Sequence, residues 1–209
     1  MKHRHGAPYG VALLVMAASG FAGLGYQIVW TQQSALWLGH EAAAVLAVVA
    51  AFFGGLAVGA LLVGERIARS RRPGLCYAAC EAMIGVWSVV LAALIGQAAQ
   101  WLLEVIGAQP TPGWHWSVAF TGTFLLLLPA TAAMGATLPA IERVLSRIDT
   151  RRSSIAALYA SNTIGAVLGV IAAAFWLVPH LGLTRTSMVC AALNLACATL
   201  FGARRSFST

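Results

Sequence analysis

The chain has 209 residues, of which 60% are hydrophobic and only 9% charged, with a net charge of +7. Soluble domains carry roughly 25% charged residues, so a domain that meets water over most of its surface is excluded. The basic excess is set among apolar runs of span length, which points to a lipid bilayer and not to nucleic acid. The four cysteines, Cys76, Cys80, Cys190 and Cys197, lie within apolar segments and do not form a secreted disulfide framework.

The first apolar run, Tyr9–Trp30, follows Lys2 and Arg4. It is too long for a signal-peptide core and lacks a small-residue cleavage site, so it reads as a retained helix. The second, Ala42–Val63, contains the pair Gly55 and Gly59 and is followed by Arg66, Arg69, Arg71 and Arg72. Glycines four apart let helix backbones approach closely in lipid. The third run, Leu75–Ile95, carries Glu81. The fourth, Val118–Ala140, contains Pro129 and Pro139 and precedes Arg143, Arg147, Arg151 and Arg152. The fifth, Ile155–Val178, contains Asn162 and a second glycine pair, Gly165 and Gly169. The sixth is Thr186–Phe201.

These runs predict an all-α polytopic bundle of six transmembrane helices forming one membrane domain over residues 1–209. Twelve of the thirteen basic residues then fall on one side, Arg185 being the exception. The positive-inside rule makes that side cytoplasmic and puts both termini there. Trp30, Trp37, Trp101, Trp114, Trp116 and Trp176 fall toward the outer interface, and Tyr9, Tyr77 and Tyr159 toward the inner one. Spans one to three and four to six are equal in number and opposite in orientation, as inverted halves require.

The segments "SGFAGLGYQIVW" (19–30), "GGLAVGALLVGERIARSRRP" (54–73), "EAMIG" (81–85), "LPATAAMGATLPAIERVL" (128–145) and "LYASNTIGAVLG" continuing to "LVPHLGLTRT" (158–186) occur in order along the chain. As a set they resemble the membrane domain of the bacterial membrane-bound, fused transporter-like spermidine synthase-like proteins. The basic loop after the second span is similar to that between helices two and three of major-facilitator transporters, half of which would be a six-helix unit. Gln27 and Gln32 depart from the acidic and arginine residues common in the family. The resemblance implies a soluble aminopropyltransferase domain after the helices, whereas this chain stops at Thr209 without a nucleotide-binding strand–turn–helix. The sequence-based expectation is therefore a chain without synthase activity of its own and without a cofactor.

A charge inside a span costs at least ~2.5 kcal/mol on insertion scales and marks a functional candidate. Glu81, Asn162 and the segment from Met134 to Pro139 lie at similar depth and are expected to face one polar pocket, with the prolines freeing backbone carbonyls. Asn194 and Gln27 read as interhelical hydrogen-bonding residues. His40, His115 and His180 lie at outer helix ends and are weak candidates for a metal or haem; no metal is predicted. Two functions follow. The favoured one is a non-catalytic inner-membrane subunit that anchors or stabilises a separately encoded partner, or forms a homo-oligomer, with its glycine faces packing either within the bundle or against another subunit. The alternative is a dimeric transporter or binder of a small organic cation of the polyamine type, using Glu81.

Overall fold

A computed structural model describes the backbone over residues 6–148 and 152–203, and the side chains of 9–40, 42–67, 69–146 and 155–203. Among the described residues the chain is helical throughout, without strands. Helix α1 is Gly6–Leu38. Helix α2 is Glu41–Val58 and continues through a π-turn, Gly59–Val63, into Gly64–Ala68. Helix α3 is Pro73–Ile106 and α4 is Pro112–Ile148. The last run, α5, comprises Arg152–Ala172, a π-turn at Ala173–Leu177, and Val178–Ala203.

Five of these runs, not six, are long and apolar enough to cross a membrane. The expected fifth and sixth spans fall in one helical run of 49 residues, Ile155–Ala203. At 1.5 Å per residue that is about 74 Å, against about 30 Å of hydrocarbon. The run is interrupted at Gly182, whose φ of 76° and ψ of 172° leave the helical region for one that glycine tolerates. Contacts along α1 show what the break does. Ser161, Gly165 and Gly169 meet Leu13, Ala17 and Phe21 in ascending order. After Gly182 the order reverses: Cys190 meets Gly25, Asn194 meets Tyr26, and Cys197 meets Val15. The two arms of α5 therefore run in opposite directions along α1.

The bundle has three apolar layers. One joins Ala12, Ile67, Tyr77, Ile141, Val144, Leu158 and Phe201. Arg66 and Arg143 adjoin it in sequence, so the arginines after α2 and Arg143 mark one basic end. The central layer holds Tyr26, Trp30, Phe52, Ile84, Leu127 and Cys190. The far layer holds Trp37, Leu38, Ala47, Ala99 and Ala119. The side chains of Arg147, Arg151 and Arg152, like Lys2, Arg4, Arg204 and Arg205, lie outside the described residues.

Trp30 and Trp37 are not interfacial rings. Trp30 is buried in the central layer, stacked on Tyr26 at 5.0 Å, and Trp37 is buried with its indole N–H donating to the Thr123 hydroxyl at 2.9 Å. Helix α1 runs to Leu38, eight residues past its expected end. Thr31 returns its hydroxyl to the Gln27 carbonyl at 2.8 Å, and Gln33 and Ser34 are buried against neighbours, so these polar residues continue the helix instead of ending it.

Both glycine pairs point into the chain. A Cβ on Gly55 would strike Thr131 and one on Gly59 the Ala132 backbone, both on α4. A Cβ on Gly165 or Gly169 would strike the Ala17 or Phe21 backbone on α1. Gly59→Leu and Gly165→Leu should each destabilise the purified protein by at least about 1–3 kcal/mol, the typical cost of overpacking, read as a lower midpoint of thermal unfolding in detergent. Gly10→Leu, where nothing lies within 4 Å, should leave the midpoint unchanged.

Candidate functional site

Pro73 opens α3 at its first helical position, where a missing N–H is harmless, and Glu81 follows two turns later. Glu81 has 0% exposure. Its Oε1 accepts from the Tyr77 hydroxyl, one turn back on the same helix, at 2.6 Å. Its Oε2 accepts from the Asn194 amide on the second arm of α5, also at 2.6 Å. Asn194 in turn accepts from the Tyr26 hydroxyl of α1 at 3.1 Å. Ser19 of α1 lies close to both Glu81 and Tyr77. This cluster joins α1, α3 and α5 in the interior, and every partner of the carboxyl in it is neutral.

A cavity of about 330 Å³ lies on the other side of α1, between α1, α2, α4 and the first arm of α5. Met16, Leu24, Phe52, Leu56 and Leu138 give it apolar walls. Its polar groups are Ser19, Tyr159, Asn162 and Thr137, and no basic residue lines it. The Thr137 hydroxyl is already bonded to the Met134 carbonyl at 2.7 Å. The Asn162 amide lies over Gly20, which has no side chain to displace it, and among the described residues it has no hydrogen-bond partner. The wall also includes Gly135. Four residues on, Pro139 has no N–H to offer its carbonyl, so a backbone acceptor is freed at the cavity.

The structure thus brings Met134 and Asn162 to one cavity but not Glu81 or Pro139. Glu81 points between α3, α1 and the second arm of α5, and Pro139 packs toward Gly64 of α2. Ser19 stands between them, in the cavity wall and in the Glu81 cluster at once. Sequence reading missed it because it sits in a run of small residues that reads as a packing face. Tyr159 was missed as a site residue because it reads as an interface aromatic.

The three outer histidines do not converge. His40 caps α2 by accepting from the Ala42 N–H at 3.2 Å, His115 reaches the Trp37 carbonyl at 3.1 Å, and His180 the Trp176 carbonyl at 2.8 Å. Among the described residues no group of three His, Cys, Asp or Glu side chains is placed to hold a metal. Cys76 and Cys80 are free thiols. At the basic end Arg69 pairs with Glu65 at 2.8 Å in an exposed contact.

Fold and site define, among the described residues, an all-helical protein with five runs long and apolar enough to cross a bilayer and a small cavity between its helices. No family model matches the sequence, and no solved structure matches it. It is similar to the polyamine aminopropyltransferases of Mycobacterium tuberculosis strains CDC 1551 and H37Rv and of Mycobacterium bovis. Each is 30% identical over 190 residues, covering 90% of this chain and 34% of the relative. The chain spans about a third of the length of the curated relatives it matches.

The Glu81 cluster makes a sharp prediction about stability. Glu81→Gln can turn its carbonyl to Asn194 and its amide to the Tyr77 oxygen, keeping both bonds, so little stability should be lost. Glu81→Leu leaves the Tyr77 hydroxyl and the Asn194 amide without their acceptor, at about 1–3 kcal/mol each. Thermal unfolding in detergent should show a large drop for Leu and a small one for Gln. Equal drops would remove the hydrogen bonds as the reason Glu81 is tolerated there.

Proposed function

We propose that the chain is an integral protein of a bacterial inner membrane whose helical bundle binds a small organic cation in the internal cavity. The observation that carries this reading is the half-buried Asn162 amide, which lines the cavity and has no hydrogen-bond partner among the described residues. Its open hydrogen-bonding capacity faces the cavity, where a ligand would take it up. Several features support a cation. The cavity wall has no basic side chain. Ser19 and Tyr159 have carboxyls behind them, Glu81 and Glu142 respectively. The relatives' name makes a polyamine the first ligand to try.

The anchoring role expected from the sequence drew on glycine faces open to a partner. Those faces are occupied within the chain, so one of the role's supports is withdrawn. It keeps the apolar outer face of the first arm of α5, where Phe175 and Trp176 are 77% and 60% exposed, a face that lipid covers equally well.

In this reading the break at Gly182 turns α5 back across the bilayer as a fifth and a sixth crossing. The basic end is then cytoplasmic and carries both termini. Impermeant thiol labelling of Ser70→Cys and Thr111→Cys in intact and opened vesicles should report opposite sides; the same side for both would overturn this topology.

Binding is tested with radiolabelled spermidine on the purified protein in lipid nanodiscs. Saturable binding is expected, weakened roughly ten-fold or more in Asn162→Ala, the loss of one hydrogen bond to a charged group. Glu81→Gln should also weaken it while the protein stays folded. No saturable binding, or binding indifferent to both variants, would sink the cation-binding reading. Co-purification of a soluble enzyme by a chain that binds no amine would favour the anchoring one.

A further inference from the structure

The part of the cavity wall that α4 supplies is main chain as much as side chain. Met134, Gly135, Thr137 and Leu138 line it, and positions three and four apart share one face of a helix. The carbonyl of residue 135 points along the helix axis toward residue 139, so it emerges within this lining face. An unbroken helix would close it with the N–H of residue 139, but Pro139 lies inside α4 and has none. Position 135 also has no side chain to cover the oxygen, because α2 lies against it and a Cβ there would strike the Leu56 backbone. The carbonyl beside it is treated differently: that of Met134 accepts from the Thr137 hydroxyl at 2.7 Å. Among the described residues no side chain donates to the carbonyl of Gly135.

Across from α4, helix α2 repeats the device. In its π-turn the Gly64 N–H reaches back five residues, to the Gly59 carbonyl. When the helix resumes its four-residue spacing, one carbonyl of the turn is passed over. Ala60, inside that turn, lines the cavity. The wall made by α2 and α4 thus offers backbone oxygen, and the wall made by α1 and α5 offers Ser19 and Asn162. A backbone carbonyl carries no net charge, so it selects by hydrogen bonding. An ammonium group with N–H bonds can donate to it, whereas a quaternary ammonium of the same charge has no proton to give.

We propose that the Gly135 carbonyl, kept free by Pro139, receives an N–H of the ligand's ammonium group, so that the cavity selects amines with N–H bonds over quaternary ones. Pro139 is then a positioning residue, acting through Gly135 without touching the ligand. This inference rests on the cavity being the binding site, and its test separates the two readings.

Radiolabelled spermidine is bound to the protein in lipid nanodiscs. Pro139→Ala returns an N–H to the Gly135 carbonyl. It should weaken binding roughly ten-fold or more, the loss of one hydrogen bond to a charged group. Its thermal midpoint without ligand should stay level or rise, since a proline leaves a helix interior. The control places lactic acid at position 139 by nonsense suppression, which keeps the alanine side chain but has an ester oxygen where the N–H would be. Binding should return toward that of the unaltered protein. Spermidine with every nitrogen quaternised should compete poorly for the unaltered protein, a measurement that needs no variant to fold. Competition equal to that of spermidine would overturn the inference. So would unchanged binding in Pro139→Ala, or equal weakening by alanine and lactic acid, which would trace the effect to the proline ring packed toward Gly64. Absence of saturable spermidine binding to the unaltered protein would instead sink the cavity reading, and this inference with it.

Discussion

Everything in this bundle depends on backbone meeting backbone at two places. Gly165 and Gly169 let the first arm of α5 lie against the main chain of α1 at Ala17 and Phe21. Gly59 and Gly135 let α2 and α4 lie against each other at Ala132 and Leu56. In lipid no hydrophobic force separates helix from solvent, so such close approach supplies the dispersion that holds helices together. It also creates two tight pairs that do not merge. The cavity is the space left between them, and its position follows from which helices carry the glycines.

The second constraint is the absence of water. Polar groups inside the bundle must find partners in the chain, and the Glu81 cluster does so across three elements. Because Asn194 both donates to Glu81 and accepts from Tyr26, the second arm of α5 is held in one register against α1 and α3. A slide by one turn would break both bonds. Local irregularities cluster on the opposite side. The π-turn of α2 begins at Gly59, over Ala132, and ends before Gly64, which faces Pro139. A helix with a widened turn thus passes a helix loosened by proline, and Ala60 and Gly135 from those segments line the cavity.

The helical class and the apolar runs were legible because span length is a property of composition. Where runs ended was less so. Gln27, Thr31, Gln33 and Ser34 look like a helix leaving the membrane, yet three of them are held by bonds or burial inside the bundle. The last two runs are continuous except for Gly182, whose left-handed backbone reverses the chain, and a single glycine is too common in membrane helices to announce such a break. The depth of Met134 and Asn162 could be counted along their helices, and the cavity holds both. The direction of Glu81 could not, because depth says nothing about azimuth. Its orientation is set by Asn194, 113 residues away in sequence. Glu142 was hidden for another reason: beside Arg143 it reads as part of a charged helix end.

Separation of Glu81 from the cavity does not isolate it electrically. Between charges in a low-dielectric interior the interaction falls only as the inverse of distance and is little screened, unlike that between exposed groups in salt water. An ionised Glu81 behind the wall would therefore favour positive charge inside it. The same placement keeps the carboxyl's own hydrogen bonds intact, since a ligand would meet Ser19 and Asn162 and not displace Tyr77 or Asn194. Had Glu81 lined the cavity directly, every binding event would have disturbed the cluster that holds α1, α3 and α5 in register. Its place beyond the cavity wall leaves the carboxyl free to hold the second arm of α5 in register against α1 and α3.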